Sequence, residues 1–159
     1  MEELREQARA MQDSGVLSAD ETKLLDFEAL AAFWQSDLGQ KIRADEPHVR
    51  RELAFTARFS PNEIAAITGE LADTVVENEF VVIQGVVDIA VVLPKQIWLL
   101  DFKTDRVDPK DLPAKAHLYQ PQLKLYAAAL TRIYARPVSN AWLYFLSQRA
   151  AVPVSLSTP

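Results

Sequence analysis

Apolar residues recur along this chain with two different periods, and the change falls near Arg50. Before it the spacing is helical. Leu4, Ala8 and Met11 recur on one helix face before Gly15. Ser18-Ala-Asp-Glu21 has the form of a capping box, with Ser18 as N-cap. Leu24, Leu25, Phe27, Leu30, Ala31, Phe33 and Trp34 mark a following helix with one apolar side. Ser36-Asp-Leu-Gly39 opens a further short helix that ends before Pro47.

From Arg50 the period falls to two. Leu53, Phe55, Ala57 and Phe59 alternate with Glu52, Ala54, Thr56 and Arg58, which predicts a half-buried strand. Ser60-Pro61-Asn62 interrupts it, and residues 63–72 fit either a helical turn or a strand extension. FVVIQGVVDIAVVL (80–93) is β-branched and nearly all apolar, as expected of a central strand, with Gly85 marking a bend or a close backbone approach. Pro94-Lys95-Gln96 makes a turn, so IWLLDFKT (97–104) returns antiparallel. A polar loop is expected over 105–116. A helix follows over 117–135, with Leu118, Leu125, Ala129 and Ile133 inward and Pro121 near its start. AWLYFL, within Asn140–Val154, predicts a last strand.

Composition narrows the function classes. The 159 residues suffice for one domain with a core, and no linker divides them. Net charge is −5, which argues against a freestanding nucleic-acid binder but not against a nucleic-acid substrate delivered by a neighbouring motor. No cysteine is present, which excludes disulfides and thiolate metal sites and fits a cytoplasmic setting. No apolar run reaches membrane-spanning length, and the charged first residues are unlike a secretory signal.

Three charges interrupt the most apolar part of the chain: Asp88, Asp101 and Lys103. Ionised groups are costly to bury unless paired or metal-bound. Asp101 and Lys103 share a strand face, because side chains alternate. Asp88 and Asp101 stand thirteen positions apart, the separation a hairpin needs to bring them side by side. Two such carboxylates repel unless a cation lies between them, and oxygen-only ligation suits Mg²⁺ or Mn²⁺. Spacing alone leaves a second reading open, in which Asp101 and Lys103 form a structural ion pair at a sheet edge and Asp88 caps a strand end.

IQGVVDIAVV (83–92), IWLLDFKTD (97–105) and LYQPQLKLY (118–126) in series resemble the RecB-like nuclease domain of the PD-(D/E)XK superfamily, found at the C-terminus of helicase–nuclease subunits. Gly85 and Asp88 match that family's G-x-x-D. Asp101, Phe102, Lys103 and Thr104 match D-[YF]-K-T, and Tyr119, Gln122, Leu123 and Tyr126 match Y-x-x-Q-L-x-x-Y. The resemblance implies an α/β, restriction-endonuclease-like core: a central mixed β-sheet flanked by helices, with 1–49 a helical segment of the domain and 50–159 the core. It implies a DNA nuclease dependent on Mg²⁺ (or Mn²⁺), working with a helicase domain or subunit in double-strand break repair and recombination. Asp88, Asp101 and the Phe102 carbonyl would bind metal. Lys103 would be catalytic, with Gln122 and Tyr126 lining the site and Tyr119 on the same helix face.

Tyr119 and Tyr126 also suit plain packing of helix on sheet. Glu52 matches the acid of the family's R-E-x-x-F strand (Arg51 to Phe55), and would reach the metal or orient Lys103 unless it simply faces solvent. One departure stands out. The family carries a metal-binding histidine on a helix well upstream, and neither His48 nor His117 matches it. A catalytically weak or inactive module for assembly or DNA guiding is therefore the competing expectation. Trp34, Trp98 and Trp142 are expected in the core, Arg132 and Arg136 at a helix C-terminus, and Lys110 and Lys115 in a solvated loop.

Overall fold

Side-chain caps set where several helices of the N-terminal unit begin. The computed structural model describes residues 1–69 and 79–156. It divides into two units, Met1–Ala44 and Asp45–Pro159. The first holds α1 (Glu2–Asp13), α2 (Ala19–Leu24), α3 (Phe27–Gln35) and α4 (Asp37–Ala44). Ser18 and Glu21 form the expected capping box at α2. The single helix expected over Leu24–Trp34 is instead broken, because Asp26 caps α3 by accepting the Ala29 N–H. Leu24, at the end of α2, is exposed as a result. Gly39 lets α4 lie against α3: a Cβ there would stand 2.1 Å from the Phe33 carbonyl oxygen.

The second unit is a five-stranded mixed sheet with a long helix across it, which bears out the α/β reading. Its strands are β1 (Val49–Phe59), β2 (Val81–Val92), β3 (Ile97–Lys103), β4 (Val138–Phe145) and β5 (Ala150–Pro153), in that spatial order. β1–β2, β2–β3 and β4–β5 pair antiparallel, while β3–β4 is parallel. The parallel pair needs a crossover, which α6 (Leu112–Tyr134) supplies. The short α5 (Pro61–Thr68) carries a second capping box, Ser60 with Glu63, and ends at Gly69 in the left-handed region. The helical alternative for 63–72 thus holds through Thr68, and 70–72 lie outside the described residues. No helix described is long and apolar enough to cross a membrane.

One face of the sheet carries the main core. Phe55, Ala57, Phe59, Val87, Leu99, Leu143 and Phe145 pack there with Leu123, Ala127 and Leu130 of α6. Two expectations for α6 fail together. The helix starts at Leu112, not 117, so Pro121 sits well inside it. Proline removes the N–H that would bond the residue-117 carbonyl, and His117 is exposed, so that carbonyl has water to turn to. Leu118 and Ile133 are 71% and 47% exposed, while Ala116, Leu123, Ala127 and Leu130 face inward. The last apolar run also divides: a turn at Leu146–Gln148 folds β5 back onto β4. Of the tryptophans, Trp98 is buried and Trp34 and Trp142 are half-buried.

Gly85 is a close-approach position. A Cβ on it would stand 2.9 Å from the Phe55 ring and 3.0 Å from Tyr126, whose rings meet edge to face at 5.0 Å. Phe55 is buried, with its ring already packed on Tyr126. Gly85→Ala is therefore expected to cost about 1–3 kcal/mol of stability by overpacking, read from the midpoint of urea unfolding. An unchanged midpoint would contradict this packing.

Candidate active site

The site lies where the β2–β3 ladder gives out. Backbone pairing runs from Val92–Ile97 to Ile89–Leu100. The next pair in that register is Asp88 with Asp101. There a side chain replaces the ladder: the Phe102 N–H donates to Asp88 Oδ2 at 2.7 Å. Phe102 thus keeps its amide satisfied, and Asp88 is fixed against the neighbouring strand.

Asp101 and Lys103 share a face of β3, as alternation requires. Their ion pair is short, 2.6 Å from Nζ to Oδ2, and both side chains are largely shielded from solvent. Lys103 Nζ also donates to Gln122 Oε1 at 3.1 Å, and Gln122 Nε2 donates to the Tyr126 hydroxyl at 3.0 Å. Nζ stands 4.0 Å from the centre of the Tyr119 ring. Tyr119 and Gln122, on one face of α6, therefore hold one ammonium group, with Tyr126 behind Gln122. Both tyrosines also pack against the core, so the packing reading and site proximity hold together.

Asp105 was missed by sequence reasoning, and Lys115, expected in a solvated loop, stands on α6 instead. The Tyr119 hydroxyl donates to Asp105 Oδ2 at 2.7 Å, and Lys115 Nζ stands 3.2 Å from Asp105 Oδ1. Hydrogen bonds from Tyr119, then Lys115, hold the Asp105 carboxyl below its ordinary range, while Asp105 raises Lys115. The signal for Asp105 was an acid two positions beyond Lys103, on the same alternation. For Lys115 it was hidden, because residues 112–116 are helix and not loop.

Glu52 is not gathered in. It is exposed, and its carboxylate makes no hydrogen bond or ion pair among the described residues. His48 stands in a turn before β1, and His117 is exposed on α6. Arg132 turns from the expected helix end to the Arg58 carbonyl and Glu63. Arg136 donates to the Leu93 carbonyl at 3.0 Å.

No group of three or more His, Asp or Glu side chains that could hold a metal gathers among the described residues. Two carboxylates and the Phe102 carbonyl are what the strands offer, an all-oxygen set of the kind hard cations take. Both carboxylates use Oδ2 in the contacts above, leaving Oδ1 for a ligand.

Asp101 is the one buried polar or charged side chain among the described residues. Burial pushes its carboxyl above the ordinary range. Lys103 draws it back through its hydrogen bond and charge, and the charge of Asp88 adds a smaller push upward. A raised value in the folded state means that the folded protein binds the proton more tightly than the unfolded chain. That contribution is complete below the unfolded value, about 3.9, and is lost as pH rises through the folded one. Asp101→Asn removes the loss. The variant is expected to exceed the parent in stability at about pH 7, with the gap closing toward about pH 4. Urea unfolding across that range measures it, and a less stable variant at neutral pH would show that the Lys103 pair outweighs burial.

Comparison with known proteins identifies the family. Residues 1–155 match the family model of the PD-(D/E)XK nuclease superfamily. The chain is similar to an ATP-dependent helicase/nuclease subunit from Lactiplantibacillus plantarum, 34% identical over 141 residues, covering 88% of this chain and 11% of that protein. It is 32% identical over 149 residues to the subunit of the same name from Desulforudis audaxviator, covering 93% and 12%. With that of Thermoanaerobacter sp. the identity is 28% over 144 residues, covering 91% and 11%. The chain spans about a tenth of the length of these curated relatives. With a match over nearly its whole length, the chain belongs to the PD-(D/E)XK nuclease superfamily.

Proposed function

We propose that this chain is the metal-dependent nuclease domain of a helicase–nuclease, hydrolysing DNA phosphodiester bonds in double-strand break repair and recombination in the cytoplasm. The observation that carries the reading is the convergence of Asp88, Asp101 and Lys103 with Gln122 of α6. The relatives' name couples a helicase with a nuclease. In this reading residues 1–49 are a helical segment of the domain and 50–159 its nuclease core.

Asp88, Asp101 and the Phe102 carbonyl would hold Mg²⁺ or Mn²⁺. Such an ion, when bound, supplies Lewis acidity and a water that ionises near neutral pH. The chain's own residues do the positioning. The Phe102 amide fixes Asp88, so one carboxylate cannot swing away from the other. Lys103 carries the positive charge that faces a developing phosphorane. Gln122, steadied by Tyr126, keeps that ammonium from collapsing wholly onto Asp101. The acidic balance of the chain, −5 overall, suits a substrate fed in by a motor rather than captured from solution.

The test is cleavage of single- and double-stranded DNA with Mg²⁺ or Mn²⁺. Asp88→Ala, Asp101→Ala and Lys103→Ala are each expected to reduce the rate by about 100-fold or more. Unchanged cleavage in all three would reject the assignment. A second reading, an assembly or DNA-guiding module with little catalysis, draws on the two-carboxylate donor set. It is favoured if the parent binds Mn²⁺ no better than Asp88→Ala does and cuts neither substrate.

A further inference from the structure

The geometry points to Glu52 as a positioning residue that acts through its backbone: its left-handed conformation marks the point where the sheet turns over and sets Asp88 beside Asp101. This inference rests on the reading of Asp88 as a site carboxylate.

Alternation along β2 shows the turnover. Ile83, Gly85 and Val87 pair with Ala57, Phe55 and Leu53, the residues of β1 that face the α6 side. Gln84 and Val86, on the other face, are exposed. A regular strand would place Asp88 with Gln84 and Val86, away from Lys103. Yet Ala90, an odd number of residues past Val87, is buried in the same core as Val87, together with its β3 partner Leu99. Leu99, Asp101 and Lys103 alternate on that face. Between Val87 and Ala90 the strand therefore changes phase, and Asp88 stands at the change.

The partner position on β1 is Glu52. Arg51 pairs with Ile89 and Leu53 with Val87, but the intervening Glu52–Asp88 pair is missing from the ladder. The register is the same on both sides, so no residue is inserted, and the irregularity is not a bulge of the two-against-one kind. Glu52 has φ 48°, in the left-handed region. The other described non-glycine residues with positive φ are Ala135 and Arg149, each closing a helix or turn. Glu52 alone of the three lies inside a strand. A side chain pays strain there that glycine would not, and such strain persists where the surrounding structure imposes it, often beside functional groups. Since its carboxylate is exposed and unpartnered among the described residues, the backbone is what the site uses.

The direct readout is hydrogen exchange of the Phe102 amide, which Asp88 Oδ2 accepts, in metal-free protein. Glu52→Gly and Glu52→Gln are expected to keep Phe102 protection within about threefold of the parent. Glu52→Ala should lie between, and Glu52→Val should lower protection by about tenfold or more, since a β-branched residue fits this conformation worst. Leu143 on β4 serves as the control for intact folding. DNA cleavage should fall in the order Gly, Ala, Val. Should Glu52→Val be poorly folded, the contrast between Gly and Ala decides. Full Phe102 protection in both Glu52→Val and Glu52→Ala, or its loss in Glu52→Gly or Glu52→Gln, would overturn the inference. The expected exchange pattern in a parent that cuts no DNA would support this positioning and reject the nuclease reading instead.

Discussion

A carboxylate held out of water beside an ammonium group is the constraint around which the second unit is arranged. Asp101 lies on β3, the middle strand of five, with β2 on one side and β4 on the other. That position strips it of solvent, and burial alone would favour its neutral form. Lys103 offsets the cost from two residues away. Lys103 in turn needs more than one partner to stay extended, and α6 provides Gln122 and the Tyr119 ring. The crossover demanded by the parallel β3–β4 pair is thus also the element that completes the charge cluster. Removing Lys103 would leave the Asp101 charge buried and uncompensated, which is why the cation of such a pair is costly to lose.

The same arrangement separates a stability role from a chemical one. A pair kept only for stability would match one anion to one cation. Here a second carboxylate, Asp88, is brought to the same strand position, and its charge makes Asp101 harder to ionise. Nothing in the fold gains from that repulsion, whereas a divalent cation between the two would reverse its sign. In the proposed reading, a metal-dependent nuclease gives this excess negative charge a use.

Much of this was legible in the sequence because it rests on period-two alternation. The faces of β1 and β3, the hairpin between β2 and β3, and the pairing of Asp101 with Lys103 all follow from counting residues. The spacing of Tyr119, Gln122 and Tyr126 likewise puts them on one helix face. Where tertiary context overrides local preference, the reading slipped. Pro121 suggested a helix start and instead sits inside α6, since an exposed carbonyl can tolerate a lost bond. Leu118 and Ile133 looked inward on composition, but their phase relative to Leu123 and Leu130 turns them to solvent. β5 was hidden in a short alanine-rich run that reads as a strand only beside β4. The conformation of Glu52 carries no signal in residue type, because glutamate does not favour positive φ.

The central claim, that Asp88 and Asp101 together form a cation site, is tested most directly by thermal unfolding of the parent and of Asp88→Ala, each with chelator and with millimolar Mn²⁺. A ligand that binds only the folded state raises its stability by mass action. The parent's melting temperature is expected to rise on adding Mn²⁺, and that of Asp88→Ala to change little or not at all. Equal shifts in the two proteins, or no shift in the parent, would contradict the claim.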